Sequence, residues 1–288
     1  QWEQQGEIDR SIWKKMGNMG FMGLNYPEEY GGLDLDFYYS LILCEELSYC
    51  FSGGFTISAL VIQYMSAPYL LKYASEELKE RYLKPIISGD KVSAVAITEP
   101  GAGSDVKQIK TTAVRSGDHY IVNGSKTFIT NGYYGDFFIT AVKTAPEKGT
   151  KGISLLLIER NATGVSANKI HKLGWHASDT AELGFDQVQV PVSNLIGVEN
   201  EGFSYLMAGL QLERLTAAIH SLATADLALQ YTLEYIGQRE AFGKKLHDFQ
   251  AIRHRIAQMA ADIATTKAFV YQCCDLQNQG EYAVQDCS

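Results

Sequence analysis

Three stretches of this sequence carry residue types that could do chemistry: a glycine loop in AITEPGAGSD, a carboxylate in LQLERL and an arginine-containing loop in QREAFGKKLHDFQA. In the first, Val95, Ala96 and Ile97 read as a short buried strand that Pro100, Gly101 and Gly103 break into a loop. Glycine lets backbone approach a ligand closely, and Thr98, Ser104 and Asp105 put polar atoms at the loop's edges. Amides and hydroxyls so placed can hold an anionic or heteroaromatic group without the helix that a dinucleotide-binding glycine loop normally feeds. Ser104 is equally an ordinary turn residue after glycine. GAGSD lacks the second glycine of a GxSxG elbow, so Ser104 is not read as an acyl-transfer nucleophile.

Glu213 is the most informative single residue. On a helical period it shares a stripe with Leu206, Leu210 and Ala217, which puts a carboxylate on an apolar face. Desolvation there raises a Glu pKa towards the operating pH, the condition for a general base. The other reading is a bundle glutamate paired with Arg214 or another cation. REAFGKK, with Arg239 and Phe242, reads on its own as a charged, solvated break between helices. Phe128, Ile129 and Thr130 read on their own as plain strand alternation.

The elements that must position these groups follow from periodicity. Residues 1–90 show apolar recurrence at three and four in IDRSIWKKMGNM, FYYSLILCEELSYC and ISALVIQYMSAPYLLKYA, and Ser75 ahead of Glu76 and Glu77 marks a further helix start. Residues 91–195 alternate at period two. KTTAVR, HYIVNG and SKTFIT are separated by Ser116-Gly117-Asp118 and by Asn123-Gly124, which predicts an antiparallel meander of three strands. FFITAVKT, GISLLLIER, VSANKIHKL and AELGFDQVQV add further strands. Residues 196–288 return to helical period, with one long helix over 201–236 and a second over 247–279 that carries Phe249, Ile252, Ile256, Met259 and Ile263 on one stripe. The class is α+β. Two helices do not close a bundle, so the sequence reads as truncated.

The 288 residues include 33 acidic against 25 basic side chains, a net charge of −8 that argues against a nucleic-acid-binding face but leaves room for local phosphate pockets. Five cysteines without CxxC spacing argue against a disulfide framework or a zinc site and for a reducing compartment. The six histidines have no HxxxH or HExxH spacing, so no metal is expected. The apolar window at 54–71 is interrupted by Ser58, Gln63, Ser66 and Pro68, and is not read as a membrane span. The opening QWEQQGEIDR has no signal or transit pattern.

AITEPGAGSD, NGSKTFITNG, HKLGWHASDTAEL, LQLERL and QREAFGKKLHDFQA together, in this order, resemble the landmarks of the acyl-CoA dehydrogenases, and LQLERL is most similar to the long-chain and isovaleryl branches. The resemblance implies an N-terminal helical domain at 1–90, a central antiparallel β domain at 91–195 and part of a C-terminal helical bundle at 196–288. It implies FAD, held by Val95, Ala96, Ile97, Thr98, Gly103, Ser104, Phe128, Ile129, Thr130, Arg239, Phe242 and Gln250. It implies an acyl-CoA substrate met by Ser104 and Arg214, and Glu213 as the catalytic base that yields a 2-enoyl-CoA. The thioester carbonyl would be polarised by a flavin hydroxyl and the base's own amide. A homo-oligomer (dimer or tetramer), an electron-transferring flavoprotein as acceptor, and a bacterial cytoplasmic or mitochondrial matrix location complete the expectation. An acyl-CoA oxidase and a non-catalytic scaffold remain as alternatives.

Overall fold

Apolar side chains crowd the segment from Gly53 to Tyr73, and it forms one helix capped by Ser52, whose hydroxyl accepts from the Phe55 amide at 3.4 Å. Its middle, Val61–Ser66, is π-helical; there Ser66 Oγ donates within reach of the Val61 and Ile62 carbonyls, at 3.1 and 3.0 Å. By length and composition this helix could cross a membrane. Its apolar window is 78% buried inside the protein, however, so it is a core element and not one interrupted by its polar residues. Ser75 caps the next helical stretch, 76–87, by accepting from the Leu78 amide.

The computed structural model describes residues 1–281 and 284–287. These divide into two units, residues 1–36 with 52–213 and residues 37–51 with 214–288. The first holds an eight-stranded sheet: β1 Ser93–Ala96, β2 Thr112–Ser116, β3 His119–Thr130, β4 Phe137–Lys143, β5 Ile153–Glu159, β6 Val165–Lys169, β7 Thr180–Pro191 and β8 Leu195–Ile196. The order is β6-β7-β3-β2-β4-β5-β8, with β1 beside β4. Alternate residues of several strands, among them Tyr120, Val122, Phe138, Leu156 and Val188, form a buried cluster. Asn131 Nδ2 donates to the Ser58 and Ser93 carbonyls, and Ser66 Oγ lies 2.5 Å from Ser93 Oγ, so polar contacts stitch the Gly53–Tyr73 helix to β1.

Two sequence expectations fail here. Asn123-Gly124 is no turn: β3 runs through it as a single strand paired with β7, with a register shift between Val122 and Gly124. Gly124 has φ +148°, and a Cβ there would lie 2.5 Å from Thr111 Oγ1, so this glycine serves close approach of backbone rather than chain reversal. The sheet is also mixed, not antiparallel, because β1 pairs parallel with β4 from Ser93↔Phe137 to Ala96↔Thr140.

In the second unit the helices Phe37–Ser48, Gln250–Asn278 and the later part of Gly202–Gln238 meet. Tyr38 donates to Asp275, Tyr271 to Glu45 and Tyr49 to Asp226, at 2.7, 2.7 and 3.3 Å. Ser48 Oγ lies 2.8 Å from His220 Nδ1, and burial lowers the pKa of that imidazole. Tyr231, Leu233, Tyr235 and Phe269 are exposed. Tyr231 and Tyr235 share one helix face, and such faces drive association. The purified chain is expected to sediment above its 31.9 kDa monomer mass. Paired Tyr231→Glu and Tyr235→Glu changes should shift it towards monomer in analytical ultracentrifugation.

Candidate functional site

The glycine loop leaves the end of β1 and is held in shape by a buried ion pair. Lys126 on β3 is fully buried and donates to Glu99 Oε1 at 2.8 Å and to the Ile97 carbonyl at 2.9 Å. Glu99 also accepts from the Lys110 and Thr111 amides at 2.6 and 3.0 Å. Burial pushes the Lys126 ammonium down to about 8, against the pull of Glu99. For Glu99, burial acts upward, but the Lys126 charge and the hydrogen bonds outweigh it and hold the carboxyl below its ordinary value. Beside this pair the Thr127 amide donates to the Thr98 carbonyl at 2.9 Å, and Thr98 Oγ1 donates back to the Thr127 carbonyl. The end of the β1 segment is thereby fixed against β3 one residue before Phe128.

Phe128 breaks the alternation. It sits where the β3–β7 register shifts between Lys126 and Ile129, has φ +60°, and is 69% exposed. A bulky residue held at positive φ with its ring in solvent has a conformational cost and no packing return within this unit. Ile129 is buried and Thr130, paired with Thr180, is half-buried. Val95, Ile97 and Thr98 are half-buried, and Ala96 is buried. Gly103 and Ser104 are exposed, and nothing lies within 4 Å of a Cβ built on Gly101 or Gly103. Trp175, in the HKLGWHASD segment, is a second exposed aromatic with positive φ; a Cβ on Gly53 would lie 2.4 Å from its indole nitrogen. Asp179 anchors the following turn by accepting from the Tyr133 and Tyr134 amides, although burial raises its carboxyl pKa. An open glycine rim, hydroxyl-bearing residues beside it and an exposed aromatic fit a planar heteroaromatic cofactor with a polar tail.

Glu213 lies within the Gly202–Gln238 helix, in the same unit as the glycine loop. Leu206 on its stripe is buried, Leu210 and Glu213 are half-buried and Ala217 is exposed, so the apolar face is narrower than its spacing predicts. Tyr69 donates to Glu213 Oε1 at 3.0 Å. Burial, and then the Glu213 carboxylate, raise the Tyr69 pKa far above the usual phenol range, so this hydroxyl stays a donor. The main-chain N–H of Glu213 is inside a helix and belongs to the helical ladder, so the expectation that it polarises a substrate carbonyl does not hold.

In the second unit, QREAFGKK is a hairpin and not a simple break. Strands β9 Glu240–Ala241 and β10 Lys244–Lys245 flank Phe242 and Gly243, whose φ values of +53° and +77° are those of a type I′ turn. Phe242 at the tip is 97% exposed, and Arg239, Gln250 and Arg214 are exposed as well. Periodicity missed Lys126, Glu99 and Tyr69. A lysine and a glutamate in a polar-looking context read as surface, and nothing local marks Tyr69 as the partner of a residue 144 positions away. Among the described residues no group of three or more His, Cys, Asp or Glu side chains converges as a metal site would require.

The chain belongs to the acyl-CoA dehydrogenases. Three family models match in series: "Acyl-CoA dehydrogenase, N-terminal domain" at residues 1–90, "Acyl-CoA dehydrogenase, middle domain" at 94–188 and "Acyl-CoA dehydrogenase, C-terminal domain" at 200–288. The chain is 40% identical to the mitochondrial long-chain specific acyl-CoA dehydrogenase of Sus scrofa, covering 96% of this chain and 64% of that protein. It is 36% identical to the mitochondrial isovaleryl-CoA dehydrogenase of Pongo abelii, over 98% of this chain and 69% of that one. The crystal structure of an acyl-CoA dehydrogenase from Geobacillus kaustophilus superposes with a TM-score of 0.96 at 43% identity, covering 99% of this chain and 76% of that one.

Proposed function

We propose that the protein dehydrogenates a saturated acyl-CoA between the carbons α and β to the thioester, giving a 2-enoyl-CoA, with FAD as cofactor and Glu213 as the proton acceptor. The observation that carries the reading is a carboxylate on a half-buried helix face, oriented by a buried phenol, in the unit that also bears the glycine-loop cradle. When bound, FAD would accept a hydride from the β carbon. The residues proposed to hold it are Val95 to Thr98, Gly103, Ser104 and Phe128 to Thr130. Thr98, Ser104 and Thr130 supply hydroxyls, and Phe128 supplies a ring face whose exposure cofactor stacking would relieve. Glu213 takes the α proton, and Arg214 and Ser104 are the proposed contacts of the CoA thioester. An electron-transferring flavoprotein is the proposed acceptor and a homo-oligomer the proposed assembly.

The test is flavin absorbance of the purified protein, followed anaerobically while saturated acyl-CoAs of different lengths are added. Bleaching by an acyl-CoA supports the reading, and no bleaching by any of them refutes it. Rapid recolouring in air would reassign the protein as an oxidase. The exposed hairpin with Arg239 is proposed to meet the pyrophosphate of a neighbouring subunit's cofactor, where a guanidinium makes bidentate bonds. Arg239→Ala is expected to weaken FAD retention about tenfold, more at low salt, without changing the thermal midpoint. Equilibrium dialysis at two ionic strengths checks it.

A further inference from the structure

We propose that Tyr69 is a positioning residue for Glu213, its phenol O–H fixing the carboxylate in one orientation and favouring its ionised form. The inference rests on the reading of Glu213 as the base, and three observations on the fold carry it. Tyr69 is 2% exposed while its hydroxyl donates to Glu213 Oε1 at 3.0 Å, so water competes poorly for that bond. Gly209, one helical turn before Glu213, makes room for it: a Cβ there would lie 2.2 Å from the Tyr69 hydroxyl oxygen. Glycine inside a helix is otherwise unfavourable, and here it leaves the volume that the phenol fills. Four residues along from Tyr69, Tyr73 stacks on Tyr205 with ring centroids 3.9 Å apart, a second clasp between the same two helices within this unit.

Tyr69 meets the carboxylate directly; Lys72, Tyr73 and Tyr64 line the narrow crevice that Tyr69 and Gly209 share, and Arg214 follows Glu213 in the chain. A hydrogen bond to a carboxylate favours the charged form. Its loss lets the proton bind more tightly, by about tenfold for one charge-assisted bond. A base that must be ionised and aimed before substrate arrives gains on both counts from a buried donor.

The test is a direct titration that needs neither cofactor nor turnover. The protein is labelled with ¹³C at glutamate carboxyls, and the Glu213 resonance is assigned by its loss in Glu213→Gln. Tyr69→Phe keeps the ring and removes the donor, and its Glu213 midpoint is expected about one pH unit above the parent's. Gly209→Ala, which displaces the hydroxyl from the other side, should move it in the same direction. An unchanged midpoint in either folded variant overturns the proposal. Failure of the base reading shows separately, as parental flavin reduction by Glu213→Gln.

Discussion

Glu213→Gln in the FAD-loaded protein is expected to bind saturated acyl-CoA as the parent does and to reduce its flavin about 10² to 10⁴ times more slowly. Glutamine is nearly isosteric, and its side-chain oxygen can still accept from Tyr69 O–H, which lies 3.0 Å from Glu213 Oε1. The helix keeps its ladder and the crevice keeps its shape, so the change removes only the proton acceptor. Because proton loss at the α carbon and hydride loss at the β carbon act on one substrate, the missing base should slow the redox step and leave binding intact. That is the pattern of an interaction made in the transition state, not in the ground state. Glu213→Asp should fall between the two, since the shorter side chain withdraws the carboxylate and lengthens its reach to the proton. Anaerobic stopped-flow mixing with an acyl-CoA that bleaches the parent gives the rate, and the spectral shift on ligand addition gives the binding. A parental reduction rate in Glu213→Gln would move the role to another carboxylate.

A structural feature is legible in this sequence where the contact that decides it is local. FFITAVKT and GISLLLIER became β4 and β5 although neither alternates as expected: each is a near-continuous apolar run of strand length, buried at six of its seven positions. Ser75 became a cap because its acceptor role spans three residues. The turn expected at Asn123-Gly124 failed because the glycine's role is set by Thr111, which presses on it from another segment. Alternation also does not name a partner, so the parallel pairing of β1 with β4 was invisible. Family motifs pointed to the cradle residues, yet the exposure and positive φ of Phe128 come from a bulge against β7 that no local pattern announces. For Glu213, helical spacing gave the face and Leu206 its buried end, but the exposed Ala217 and the Tyr69 hydroxyl depend on what packs there. Lys126 carries no local mark of its role, because a lysine between Ser125 and Thr127 has the composition of a strand's solvent side while its partner Glu99 lies 27 positions away.

Lys126→Met is accordingly expected to cost the first unit about 3–5 kcal/mol, the penalty for breaking a buried ion pair by removing one partner. Methionine keeps the stem's volume but leaves Glu99 with two amide donors and no cation, while the Ile97 carbonyl loses its partner. Lys126→Met with Glu99→Gln should recover most of the loss, because no uncompensated charge then stays buried and the glutamine oxygen can still accept from Lys110 or Thr111. The pH dependence has a definite sign. The Glu99 carboxyl is held below its ordinary value in the fold, so its contribution is present above that ordinary value and is lost as pH falls through the folded one. The Lys126→Met deficit should therefore shrink in acid, where a protonated Glu99 needs no cation. On the basic side, the Lys126 ammonium falls to about 8 on folding from an ordinary 10.5, so between those values the unfolded chain holds the extra proton and this group's titration favours the fold as pH rises. Trp2, Trp13 and Trp175 all lie in the same unit as Lys126, so tryptophan fluorescence in urea reports that unit. An equal midpoint for parent and Lys126→Met at neutral pH would mean that the Lys126–Glu99 pair contributes nothing to holding the cradle.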